Sequence, residues 1–191
     1  MRIGNYNAEI QPGTADDRGY VAIKMIDGKA PFTLKLTNHS SQKSKVNIHI
    51  HGLDQGTWVL MPHQVSILER PIHIAEKFCA YAVGSEGGNA IGLTTGDPNN
   101  GLISIIFTPE KRIVMPTSIA PPSAMMAAYS RDSVGAAGVG TEGESHQTFQ
   151  TVQDFETDVN EAVTINLRIV EFKNSPRPLS SALSNPIPPA I

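Results

Sequence analysis

At 191 residues the chain is sized for one domain with a real core, and its 15 basic against 18 acidic side chains (net −3) lack the footprint that phosphate neutralisation requires. A 40% hydrophobic content excludes wholesale disorder, while only 17% charged residues beside 16 Gly and 14 Pro favour strands and turns over helices with charged outer faces. A single cysteine, Cys79, excludes an internal disulfide, no apolar run approaches the roughly 20 residues of a membrane helix, and residues 1–20 carry no leader pattern.

Residues 19–26 (GYVAIKMI) alternate as a half-buried strand does, Asp27-Gly28 suits a tight turn, and residues 32–36 (FTLKL) alternate again, which predicts a β-hairpin. Residues 38–45 (NHSSQKSK) read as a polar loop. Residues 46–51 (VNIHIH) set Val46, Ile48 and Ile50 on one face against Asn47, His49 and His51 on the other. Residues 56–60 (GTWVL) and 65–69 (VSILE), joined across Pro62, predict a second hairpin. Residues 77–83 (KFCAYAV) form a further strand, residues 84–100 a Gly/Asn-rich connection, and residues 101–107 (GLISIIF) a central buried strand.

From about residue 109 to 145 the periodicity stops, apart from a short helical turn expected near residues 123–129 (SAMMAAY), and the segment reads as a long Gly/Pro-rich insertion. Order returns with residues 146–152 and then with residues 163–172 (VTINLRIVEF), where Val163, Ile165, Leu167 and Ile169 alternate with polar partners. The tail 173–191 holds Pro176, Pro178, Pro186, Pro188 and Pro189; it reads as an extended arm for binding a partner. The expectation is an all-β protein, an antiparallel β-sandwich of jelly-roll-like kind spanning residues 1–172, with the arm outside it.

One motif invites metal chemistry. His49 and His51 stand two apart on a strand, so their side chains project the same way and can share an ion, with His63 and His73 near in sequence. The run Asn47–Leu53 is like a copper-binding strand of multicopper oxidases, but the late Cys flanked by His is missing: Cys79 sits in Phe-Cys-Ala-Tyr. A cupin site requires a Glu soon after the pair and a second Gly-rich motif with its own His; here Asp54 and the distant His146 stand instead. An outer-face role for both histidines is therefore preferred to metal. No serine sits in G-x-S-x-G, the glycines of residues 84–92 lack a following Lys-Ser/Thr, and Glu69 and Glu76 are read as solvated acids. Trp58 and Phe78 suggest a sugar-stacking platform, although Trp58 inside an alternating strand is the mark of a core residue.

Three stretches together — residues 58–71 (WVLMPHQVSILERP), residues 100–110 and residues 164–170 (TINLRIV) — resemble a family of β-rich proteins associated with large double-stranded DNA viruses and some protists. The resemblance spans residues 15–172 and implies a virion-associated structural role, as a minor capsid or cementing protein, without an enzymatic activity or a cofactor. Expected partners are other structural subunits in a homo- or hetero-oligomer, with neither nucleic acid nor membrane; the expected location is the virion, or the cytoplasm for a non-viral chain. The alternatives are a carbohydrate- or ligand-binding module using Trp58, Tyr81 or residues 84–100, and a small metal enzyme built on His49 and His51.

Overall fold

The computed structural model describes residues 1–112 and 135–172. In chain order the strands are β1 (Arg2–Ile3), β2 (Tyr6–Gln11), β3 (Tyr20–Ile23), β4 (Lys29–Pro31), β5 (Thr33–Asn38), β6 (Ser44–Ile50), β7 (Leu53–Leu60), β8 (Val65–Leu68) and β9 (Glu76–Ala82). A five-residue helix α1 (Glu86–Ala90) follows, then β10 (Leu102–Pro109), β11 (Gly135–Glu144) and β12 (Val163–Glu171). They make an all-β fold with two sheets, one of order β1-β2-β5-β8, the other of order β4-β9-β11-β12-β10-β6-β7. All pairings are antiparallel except that β3 lies parallel beside β12, Tyr20 opposite Arg168 and Ile23 opposite Glu171.

Period-two patterning decides which side chains turn inward. On β10 and β12, Ile103, Ile105, Phe107, Ile165, Leu167 and Ile169 are buried, and they meet Ala8, Ile10, Leu34 and Leu36 of the other sheet in one cluster. Tyr6 stacks on Phe107 with ring centroids 4.6 Å apart. Each of these Ile, Leu and Phe side chains contributes about 1.5–3 kcal/mol when fully removed from water. The first sheet therefore has no separate core.

Both predicted hairpins are corrected. The Asp27-Gly28 turn forms, with Ile26 and Lys29 exchanging backbone hydrogen bonds of 2.9 and 3.1 Å. Its flanks then part: β3 pairs with β12, β4 with β9, and β5 with β2 and β8. Likewise β7 pairs with β6 through a tight turn at His51-Gly52, whose φ values are 53° and 79°, whereas β8 pairs with β5. The chain thus crosses between sheets at residues 61–64. A buried asparagine fixes that crossing: Asn38 Nδ2 donates to the carbonyls of Gln42 (2.7 Å), Leu60 (3.4 Å) and Met61 (3.1 Å). Its Oδ1 accepts from the Ser40 amide and hydroxyl, so the side chain ties the end of β5 to the end of β7.

The glycine-rich run read as the end of a long insertion is strand β11, paired with β9 from Ala137 opposite Ala82 to Glu144 opposite Glu76. Residues 84–92, expected to be plain connection, contain α1, started by Ser85 Oγ accepting from Gly88 N (3.0 Å). The helix and the loop after it lie on the outer face of β9 and β11, where Cys79, Tyr81 and Leu93 form a second small apolar cluster. Gly138 and Gly140 leave room on β11 for Leu93 and Ile91. The helical turn expected near residues 123–129 and the tail prolines Pro176, Pro178, Pro186, Pro188 and Pro189 lie outside the described residues.

Candidate interaction groove

β7 and β8 are the outermost strands on one side of their respective sheets, and residues 145–157 run across the gap between them. That strap has no regular secondary structure, and side chains hold it. Arg70 donates from Nε and Nη2 to the Gln147 carbonyl at 2.9 and 2.7 Å, with its guanidinium 4.5 Å from the Phe149 ring centre. Phe149 in turn meets Trp58 edge-on, centroids 6.0 Å apart. Further along, Lys45 Nζ reaches Asp154 at 2.6 Å, and a bridge between Glu110 and Thr157 returns the strap to the sheet. The Lys45 hydrogen bond holds the Asp154 carboxyl below its ordinary range. Between strap and strands lies an open groove of about 990 Å³, with Thr57, Trp58 and Val59 on one side and Ser66, Leu68 and Ile72 on another.

Hydrogen-bond parity shows what the two edges offer. In an antiparallel ladder, alternate residues bond to opposite neighbours. Asn38 N donates to Gln64 O (2.9 Å), so Gln64, Ser66 and Leu68 bond β5, while Val65, Ile67 and Glu69 direct their peptide groups outward. The Gln147 carboxamide meets that outward set as another strand's peptide would: Oε1 accepts from Glu69 N (2.9 Å) and Nε2 donates to Ile67 O (2.7 Å). On β6, His51 N donates to Leu102 O (3.1 Å), so its odd-numbered residues bond β10 and its even-numbered residues bond β7. Gly56, Trp58 and Leu60 are consequently the residues of β7 that bond β6, and Thr57 and Val59 point outward. The flanks are closed: Gln55 O accepts from Ile72 N (3.1 Å) and Met61 N donates to Gln64 Oε1 (2.7 Å). Among the described residues, the outward N–H and C=O of Thr57 and Val59 have no partner. The Trp58 indole N–H is also buried without an acceptor among those residues.

The histidines do not come together as strand alternation predicts. His49 stays half-buried on β6, but the positive φ of His51 turns that residue into the hairpin. There its Nε2 accepts from the amides of Gly101 (3.2 Å) and Val139 (3.1 Å), joining the ends of β6, β10 and β11. Burial pushes the imidazole below its ordinary value. His63 sits in the crossing turn, and His73 and His146 are exposed. Among the described residues no three His, Cys, Asp or Glu side chains are grouped to hold a metal ion.

A cluster that the sequence reading missed lies on the outer face of β9 and β11. Lys29 is ion-paired with Glu142, whose Oε2 accepts from Tyr81 Oη (3.3 Å) and Cys79 Sγ (3.7 Å). The Lys29 hydrogen bond lowers the Glu142 carboxyl, and burial raises the Cys79 thiol and the Tyr81 phenol. A buried thiol held protonated is a poor nucleophile. Glu69 and Glu76 each accept a hydroxyl, from Ser145 (3.4 Å) and Thr141 (2.7 Å). Trp58 and Tyr81 are only 8% and 7% exposed, so neither presents a sugar-stacking face, and Phe78 is wholly buried. The signal for the cluster was in the sequence, since Cys79 and Tyr81 share a strand face; its partner strand β11 was not.

Fold and groove define a mainly antiparallel β protein with two neighbouring sheet edges, one partly capped by a side-chain amide and one open at Thr57 and Val59. No protein-family model, curated protein or solved structure matches the chain. No helix among the described residues is long and apolar enough to cross a membrane.

Proposed function

We propose that this chain is a non-enzymatic assembly protein, a minor capsid or cementing component of a viral particle, whose body is an antiparallel β-sandwich of jelly-roll-like kind and whose partners are other structural subunits. The observation that carries this reading is the outward face of β8. Val65 and Ile67 stand there 52% and 48% exposed, with Met61 and Ile74 exposed in the turn before and the loop after. Apolar side chains grouped on a polar surface are the mark of a protein contact. The two sheets sharing one core support the sandwich, and the three stretches that resemble virion-associated β proteins support the particle. His51, Glu142 and Arg70, the groups best suited to chemistry, each have a structural partner.

Light scattering of the full-length protein tests the reading, alone and mixed with particles stripped of it. The wild type is expected to self-associate or rejoin the particle, and Val65→Lys/Ile67→Lys to do neither while unfolding at the same urea concentration. Equal association by both forms overturns it.

A further inference from the structure

The outward peptide groups of β7 carry a more specific consequence. Thr57 and Val59 each present one N–H and one C=O on the same edge, two residues apart and about 6.8 Å along the strand. Donors and acceptors alternating at that spacing are matched by another extended backbone and by little else. The neighbouring positions on β7 are already closed by Ile72 and by Gln64, and on β8 the Gln147 amide takes Glu69 N and Ile67 O. On β7 the opening is therefore confined to Thr57 and Val59. The groove in front of it, about 990 Å³, has room for a short extended peptide, and its lining includes apolar Ile72 and Val152 and uncharged Ser66 and Thr151. Its charged groups are mostly spent: Lys45 pairs with Asp154, and Arg70 binds carbonyl oxygens.

We propose that the Thr57–Val59 edge of β7 is a strand-addition site for an extended, largely uncharged segment of a partner polypeptide. This names the partner chemistry of an assembly protein and rests on that reading, but it uses a different surface from Val65 and Ile67. The partner strand lies between β7 and the strap, receives hydrogen bonds from the Thr57 and Val59 amides and donates to their carbonyls.

A displayed library of random twelve-residue peptides, selected on the full-length protein, supplies the probe. Amide hydrogen exchange and the emission of the single tryptophan, Trp58, read its binding. Selected peptides are expected to slow exchange at Thr57 and Val59, which is fast in the free monomer, and to shift the emission. Val59→Pro removes one outward N–H; an edge strand tolerates it because that group is not in the ladder. It is expected to weaken binding about tenfold or more, the size of one lost hydrogen bond. Val152→Arg, which fills the groove from the strap without touching the ladder, is expected to do the same and covers a folding failure of the proline variant. Slow exchange at both amides in the free monomer overturns the proposal, as does a failure to select peptides or equal binding by both variants. Protection that grows with protein concentration overturns the foreign partner in favour of a second copy. Normal binding by Val65→Lys/Ile67→Lys separates this site from the β8 face, so either can fail alone.

Discussion

Asn38 shows how one polar side chain fixes a topology. Wholly buried, it satisfies three carbonyls and accepts two hydrogen bonds, and every one of these lies at the point where the chain leaves one sheet for the other. Asn38→Ala leaves the buried Ser40 amide without its acceptor and takes the shared donor from the carbonyls of Gln42, Leu60 and Met61, and the expected cost is about 3 kcal/mol, measured by urea denaturation. A loss below about 1 kcal/mol would mean that water replaces the amide. His51 plays the same joining role with a titratable group. Burial lowers its folded-state value from 6.5; nearby Asp97 opposes that shift and Arg168 adds to it. The unfolded chain therefore binds the proton first. Stability from this group is complete above the unfolded value and is lost as pH falls below it. The urea midpoint of the wild type should drop more between about pH 8 and pH 5 than that of His51→Gln; parallel drops would remove His51 as the cause.

Among the elements, α1 is the one that intrinsic preference misjudges. Gly87→Ala should favour a helix by about 1 kcal/mol, yet a Cβ there collides with the Tyr81 ring, which α1 and the loop behind it cover. Rigid ring against backbone decides the sign, and the substitution is expected to loosen the cover of β9. Cys79 reports this directly, being 2% exposed with a thiol that burial keeps protonated. Its labelling by a thiol reagent should quicken about tenfold in Gly87→Ala, with a smaller change in the global urea midpoint. An unchanged labelling rate would show that the cover does not protect the thiol. Gly101 marks a second constraint, at the junction where β12 passes from β10 to β11. Its φ is +68°, and a Cβ would strike the Ile169 and Ala137 carbonyls, so no side chain fits.

At the scale of the whole molecule, what was legible in the sequence was whatever period two encodes. β6, β9, β10 and β12 lie where alternation puts them, and β12 points Ile165, Leu167 and Ile169 into the core as read. β2 was missed although Tyr6, Ala8 and Ile10 alternate, and β11 was missed because its small residues carry no hydrophobic signal. Pairing was not legible. Turns such as Asp27-Gly28 advertise hairpins, and the partners that win, Arg168 for Tyr20 and Ala80 for Ala30, are about 50 to 150 residues away. The groove was equally hidden, since it needs two edges from different sheets and a strap from a third place. Of its residues the sequence singles out only Trp58, as a sugar-stacking candidate or a core residue, and its burial agrees with the second.

The parallel seat of β3 beside β12 also sets an order in time. β12 is the strand to which β3, β10 and β11 all attach, and it is the last of the set to leave the ribosome. At about 5–20 residues per second, Tyr20 waits on the order of ten seconds for Arg168 to be made. Through that interval the nascent chain carries Val21 and Ile23, and the apolar faces of β6 and β10, with no completed sheet to receive them. Translation of this protein therefore includes a period in which its strands are open to wrong partners, and a holding chaperone acting before residue 163 emerges would raise its yield more than any aid given afterwards.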